Sequence, residues 1–177
     1  LPSALRVDAH ERWRALAGAG LGILAMALAC RGLGAWIGFE PWIAAPLGAS
    51  AVLVFALPAS PLAQPWPVVG GNLVSALVGL ACAWAIPDVA VAGGLAVAAA
   101  IAAMFLLRCL HPPGGGTALL AVLAHAAHAP FALFALLLNT VLLVLAGALY
   151  NTITGRRYPH RTLPSPSPSE PAAARFT

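Results

Sequence analysis

Eight consecutive residues, Leu110-His111-Pro112-Pro113-Gly114-Gly115-Gly116-Thr117, concentrate the chemistry of this chain. Pro112 and Pro113 carry no backbone N–H, and Gly114, Gly115 and Gly116 open backbone shapes closed to other residues. A helix is expected to start at Thr117, whose hydroxyl can cap it. Such a start offers unpaired N–H groups and the positive end of the helix dipole. Glycines let a ligand approach the backbone, so the combination suits a small anion without any fixed side-chain charge. His111 adds a donor or a carrier for a coupled proton. The alternative for His111 is a structural imidazole that anchors the turn.

The pattern occurs twice. Pro46-Leu-Gly-Ala-Ser-Ala-Val-Leu and Pro113-Gly-Gly-Gly-Thr-Ala-Leu-Leu both read P-x-G-x-[S/T]-A-x-L. Gly48 falls on Gly115 and Ser50 on Thr117 at a constant offset of 67 (113 − 46 = 67). Asn72 and Asn139 obey the same offset (139 − 72 = 67). Gly48, Ala49 and Ser50 thus form a second helix start. Two such starts converging near the bilayer centre make a cradle for an anion. Amides within apolar helices need partners, so Asn72 and Asn139 either line this cradle or join helices.

The elements that position these residues must sit in lipid. Of 177 residues, 61% are hydrophobic and 8% charged, against about 25% charged in a soluble domain. Mean hydropathy is +0.91. Between Ala15 and Tyr150 the only charged residues are Arg31, Glu40, Asp88 and Arg108. Arg6, Arg12 and Arg14 precede the first apolar segment, and Arg156, Arg157 and Arg161 follow the last, which places both termini in the cytoplasm. The basic balance is explained by this pattern, and nucleic-acid binding has no other support. Cys30, Cys82 and Cys109 lie within or beside apolar segments and read as small buried residues, with no metal-ligand spacing.

Apolar segments beginning at Ala15, Val68, Val89 and Phe131 reach the about 20 residues a spanning helix needs. Pro41–Leu57 and Thr117–His128 are shorter, like half-helices preceded by extended backbone. The expected fold is all-α, with two repeated three-segment units, each a long helix, a broken half-helix and a long helix. The units are read as inverted, giving six membrane segments; four spans plus two re-entrant segments is the alternative. Residues 1–14 form a cytoplasmic or interfacial lead-in, 15–150 the membrane domain and 151–177 a cytoplasmic linker. The linker stretch Leu163–Pro171 is rich in Pro and Ser, and a further cytoplasmic domain is expected beyond it. Arg31 and Arg108 either attract anions at the two mouths or extend to headgroups. Gln64 is a weaker candidate, and His125 and His128 are expected at an interface.

The run Leu110–Ala118 closely resembles the signature of the HPP family of integral membrane proteins. The resemblance continues through Pro46–Ala51 (PLGASA), Pro58–Pro65 (PASPLAQP) and Gly70–Gly79 (GGNLVSALVG), and covers Trp13 to His160. Gly116 departs from it, since the family more often has Ala there. Asn72 also departs, at a position where His is common, which bears on any proton coupling there. The resemblance implies a small-anion transporter, with nitrite as the expected substrate, because members in photosynthetic organisms are linked to nitrite uptake. It further implies the membrane part of a bacterial inner-membrane protein of the HPP–CBS type.

The leading expectation is passive or proton-coupled transport of nitrite or a similar anion. The candidate binding residues are Gly48, Ala49, Ser50, Asn72, His111, Gly114, Gly115, Gly116, Thr117 and Asn139, with no cofactor, no metal and no catalytic residue. A cation carrier would need intramembrane carboxylates, and Glu40 and Asp88 lie only at segment ends. His111 has no nearby nucleophile or carboxylate in sequence, which argues against an enzyme. The alternative function is a membrane sensor that relays a state to a cytoplasmic domain. Gly18, Gly20 and Gly22 let helices approach closely, within one chain or between the copies of a homodimer.

Overall fold

The computed structural model describes residues 8–37, 44–124 and 129–160, and every regular element in them is helical. The helices are α1 (Ala9–Ile37), α2 (Pro46–Ala56), α3 (Asn72–Ala85), α4 (Val89–Leu106), α5 (Pro113–Leu123) and α6 (Ala129–Ile153). A 3-10 turn, Pro61–Ala63, and a π-helical turn, Pro67–Gly71, lead into α3. Among the described residues, four helices are long and apolar enough to cross a membrane, with α2 and α5 as shorter apolar helices. His125, His128 and the Leu163–Pro171 stretch, with its expected connection to a further domain, lie outside the described residues.

Three boundaries differ from the sequence expectation. α1 begins at Ala9, six residues before Ala15, because Asp8 Oδ1 accepts a 2.7 Å hydrogen bond from the Glu11 N–H and caps the helix. α6 continues to Ile153, and Gly155 at φ +75° then turns the chain. The third matters most. α5 starts at Pro113, not Thr117, so Gly114, Gly115 and Gly116 are helical rather than extended. Proline is tolerated in a first helical turn because its missing N–H has no intrahelical partner there. The irregular backbone lies before it, where Arg108 adopts φ 53°.

Direction follows from the contacts. α1 and α6 are antiparallel, with Gly18 against Tyr150 and Cys30 bonded to Asn139. α3 and α4 are antiparallel, with Ser75 against Met104 and Trp66 Nε1 donating to the Leu107 carbonyl at 3.1 Å. α5 runs alongside α3 in the same sense, Gly71 facing His111 and Gly79 facing Ala118. α2 passes α5 in the opposite sense, Pro46 beside Gly116 and Ser50 beside His111.

The helices pack as two sets of three. α1, α2 and α6 enclose Met26, Leu47, Val54, Phe55 and Leu143. α3, α4 and α5 close on alanines, including Ala92, Ala96, Ala100 and Ala118. Each set holds two long helices and one short one. The sets cut across chain order, since α3 packs with α4 and α5 while α6 returns to α1 and α2. In lipid, where apolar burial gives little net drive, small residues earn stability by letting backbones approach. A Cβ on Gly79 would collide with the Ala118 carbonyl, and one on Gly114 would sit 2.6 Å from Ser75 Oγ.

Candidate functional site

The two short helices begin in the same way. Each has Pro at its first position, Pro46 and Pro113. In α2, Leu47 N–H bonds to the Ala44 carbonyl at 2.9 Å and Gly48 N–H to the Ala45 carbonyl at 3.1 Å. In α5, Gly114 N–H bonds to the His111 carbonyl at 2.8 Å and Gly115 N–H to the Pro112 carbonyl at 3.1 Å. Ser50 Oγ lies 3.4 Å from the Pro46 carbonyl, and Thr117 Oγ1 lies 3.4 Å from the Pro113 carbonyl. These correspondences correct one expectation: the amides of the first turns are engaged locally instead of standing free.

The starts adjoin. A Cβ on Gly116 would lie 3.7 Å from Pro46 Cγ, ordinary van der Waals contact. Gly48, Ala49 and Gly116 are exposed on the protein surface and Gly115 is half-buried, whereas Gly114 is buried. The five small residues therefore divide. Gly114 serves close helix packing, and the other four edge the open side of the junction.

Behind that edge a buried hydrogen-bond chain joins four elements. Thr117 Oγ1 donates to Asn72 Oδ1 at 2.6 Å. Asn72 Nδ2 donates to Ser50 Oγ at 3.4 Å and to the Val68 carbonyl at 2.8 Å. Ser50 Oγ lies 2.8 Å from His111 Nε2, and His111 Nδ1 lies 2.8 Å from the Leu62 carbonyl. A carbonyl only accepts, so Nδ1 donates, and in the neutral imidazole Nε2 accepts from Ser50. Every donor then points the same way, from Thr117 to Leu62. Ser50, Asn72 and His111 are fully buried and Thr117 nearly so.

Local structure explains Asn72. Its backbone N–H bonds to the Val69 carbonyl at the end of the π-helical turn. That leaves the Val68 carbonyl, which a regular helix would give to this N–H, for the side chain. The remaining amide atoms are thereby aimed between α2 and α5. Among the described residues no buried side-chain N or O lacks a partner. An anion could engage Ser50 or Thr117 only by exchanging one of these bonds.

A family model described as the HPP transmembrane region matches residues 4–159. The chain belongs to the HPP family. Two transmembrane proteins of Dictyostelium discoideum are similar to this HPP chain over shorter stretches. One is 48% identical over 79 residues, which is 42% of this chain and 25% of that protein. The other is 44% identical over 79 residues, 42% of this chain and 28% of that protein. The HPP chain thus matches about a quarter of the length of these curated relatives. No solved structure matches.

Within the HPP chain, Asn72 and Asn139 part company. Asn72 joins α2 to α5, whereas Asn139 Oδ1 accepts from Cys30 Sγ at 2.9 Å and ties α6 to α1. Gln64 bridges the loop after α2, donating to the Pro58 and Ser60 carbonyls at 3.0 and 2.8 Å. Arg31 and Arg108 are exposed.

Arg14, one of the arginines ahead of the first apolar segment, is buried. It donates to Asn151 Oδ1 at 2.8 Å, to the Phe55 carbonyl at 2.7 Å and to Glu11. Asn151 donates to the Val54 carbonyl at 3.1 Å. Arg14 and Asn151 together bond two carbonyls in the last turn of α2, Phe55 and Val54, where intrahelical partners run out. Glu11 also holds Arg156, so the start of α1 and the end of α6 lie at one end of the bundle. The Asp8-x-x-Glu11 spacing was the signal that α1 extended this far.

Proposed function

We propose that this HPP chain carries a small inorganic anion, nitrite foremost, across the membrane past the junction of the α2 and α5 starts. The observation that carries the reading is that junction. Two apolar helices begin within one turn of each other, at Pro46 and at Pro113–Gly116, so their positive dipole ends reinforce one another. Matched short helices interrupted by Gly and Pro are how many transporters build an ion site near the midplane. The buried side chains there, Ser50, Asn72, His111 and Thr117, include no fixed charge, which suits a substrate that has to leave again.

In this reading the anion passes along the open edge formed by Gly48, Ala49, Gly115 and Gly116, and a second copy of the chain shields that edge from lipid. The hydrogen-bond chain behind it holds the two starts in register. Protonating His111 Nε2 would turn the Ser50 hydroxyl away, toward the Pro46 carbonyl, and so connect a proton to the junction. The alternating directions of α1 to α6 favour six segments in two inverted units over re-entrant ones. In the same reading the membrane is a bacterial inner membrane and both flanks of the helical domain face the cytoplasm, which the arginine bias supports.

Purified protein in liposomes tests the reading. Nitrite influx is expected, with nitrate, formate and chloride run beside it to rank the anions. A pH dependence of influx that disappears in His111→Ala would support proton coupling. Intact protein that passes none of these anions would overturn the transport reading.

A further inference from the structure

The chain beyond α6 does not leave the bundle at once. Tyr158 is buried, packs with the α1–α2–α6 core, and donates through its hydroxyl to the Ala63 carbonyl at 2.9 Å. Two residues on, His160 N–H donates to Gln64 Oε1 at 2.7 Å. Gln64 spends its amide hydrogens on the Pro58 and Ser60 carbonyls. The loop between α2 and α3 is therefore stitched to itself by Gln64 and to the C-terminal segment by Tyr158 and His160. Ser60 Oγ caps its 3-10 turn from within, accepting from Leu62 N–H at 3.2 Å. The residue between these fixed points is Leu62, whose carbonyl accepts from His111 Nδ1 at 2.8 Å.

We propose that Tyr158 and Gln64 are positioning residues for His111: the segment after α6 clamps the Pro58–Gln64 loop and so fixes the carbonyl that orients the imidazole. The path is short. Ala63, held by Tyr158, is covalently next to Leu62, and among the described residues the Leu62 carbonyl is the partner of His111 that can only accept, so it sets which ring nitrogen carries the proton. Releasing Tyr158 or Gln64 frees the turn to rotate, and the Leu62 carbonyl moves from Nδ1. His111 then exchanges the proton to Nε2, and Ser50 changes from donor to acceptor. A change in the position of the segment that follows α6 is thereby delivered to the α2–α5 junction. The consequence for flux rests on the transport reading; the effect on His111 does not.

The test is nitrogen magnetic resonance of histidine-labelled full-length chain in lipid nanodiscs, with the His111 signals assigned by their loss in His111→Gln. The native protein is expected to give a single pattern with Nδ1 protonated. Tyr158→Phe and Gln64→Ala are expected to shift the Nδ1 signal toward the unprotonated position. Tyr150→Phe removes a comparable hydroxyl bond, to the Arg14 carbonyl at 2.7 Å, from a site off this path, and should leave His111 unchanged. Folded Tyr158→Phe and Gln64→Ala proteins with the native His111 pattern would overturn the proposal, as would an equal shift in Tyr150→Phe. Nitrite influx measured on the same variants separates the two ideas. A moved His111 signal in the variants with no flux in the native chain or in any variant contradicts transport alone, and unchanged His111 with normal flux contradicts the coupling alone.

Discussion

His111 and Ser50 stand 61 residues apart in the chain and 2.8 Å apart in space, ring nitrogen to hydroxyl. That bond ties the break before α5 to the first turns of α2. In Ser50→Ala both His111 Nε2 and one Asn72 hydrogen lose their buried partner. Leaving a buried polar group unsatisfied costs about 1–3 kcal/mol. The apparent unfolding midpoint in detergent should fall accordingly, and Ser50→Thr, which keeps the hydroxyl, should recover most of it.

Thr117 and Asn72 form the other end of the same chain. Thr117→Val keeps the shape of the side chain and removes the donor to Asn72 Oδ1. A double-mutant cycle with Asn72→Ala should give a coupling energy within about 0.5–3 kcal/mol. The parallel cycle between Thr117 and Asn139, whose hydrogen bond runs to Cys30, should give close to none.

The α3–α5 crossing sets the depth of the α5 start. Gly79→Ala drives a methyl into the Ala118 carbonyl, while a Cβ on Gly94 meets nothing within 4 Å. Overpacking costs about 1–3 kcal/mol. Gly79→Ala should lower the unfolding midpoint and the yield of folded protein, and Gly94→Ala should leave both near native.

Much of this was legible in the sequence. The four long helices followed from apolar length, and the P-x-G-x-[S/T] offset singled out Ser50 and Thr117. Both hydroxyls do serve one network. Less legible was the role of the glycines, because Gly suits an extended loop and a close helix crossing equally well. Pro113 looked like a helix breaker and is a first-turn residue instead. The partners of His111 and Asn139 are tertiary facts: no spacing announces that the Leu62 carbonyl or Cys30 will arrive there. Nor does any spacing announce that Arg14, ahead of the first apolar segment, will be buried against Asn151 and the Phe55 carbonyl.

Arg14 therefore supplies its own prediction. Its guanidinium is nearly inaccessible and serves Glu11, Asn151 and the Phe55 carbonyl at once. Removing one partner of a buried pair costs about 3–5 kcal/mol; Glu11 keeps some exposure, so the lower end applies. Arg14→Ala should be among the most destabilising single changes in the chain, whereas Arg157→Ala, at an exposed position, should be mild. Thermal unfolding of the two variants side by side decides it.

The proposed path takes a small anion past the place where α2 and α5 begin side by side. Gly116 offers the most direct probe, because a Cβ there only touches Pro46 at 3.7 Å while a larger side chain fills the junction. Nitrite influx into liposomes should be measured for the native chain, Gly116→Leu and Gly94→Leu, each confirmed folded. Strong influx is expected for the native chain and Gly94→Leu, and influx near that of empty liposomes for Gly116→Leu. Undiminished nitrite influx through folded Gly116→Leu would rule out this path.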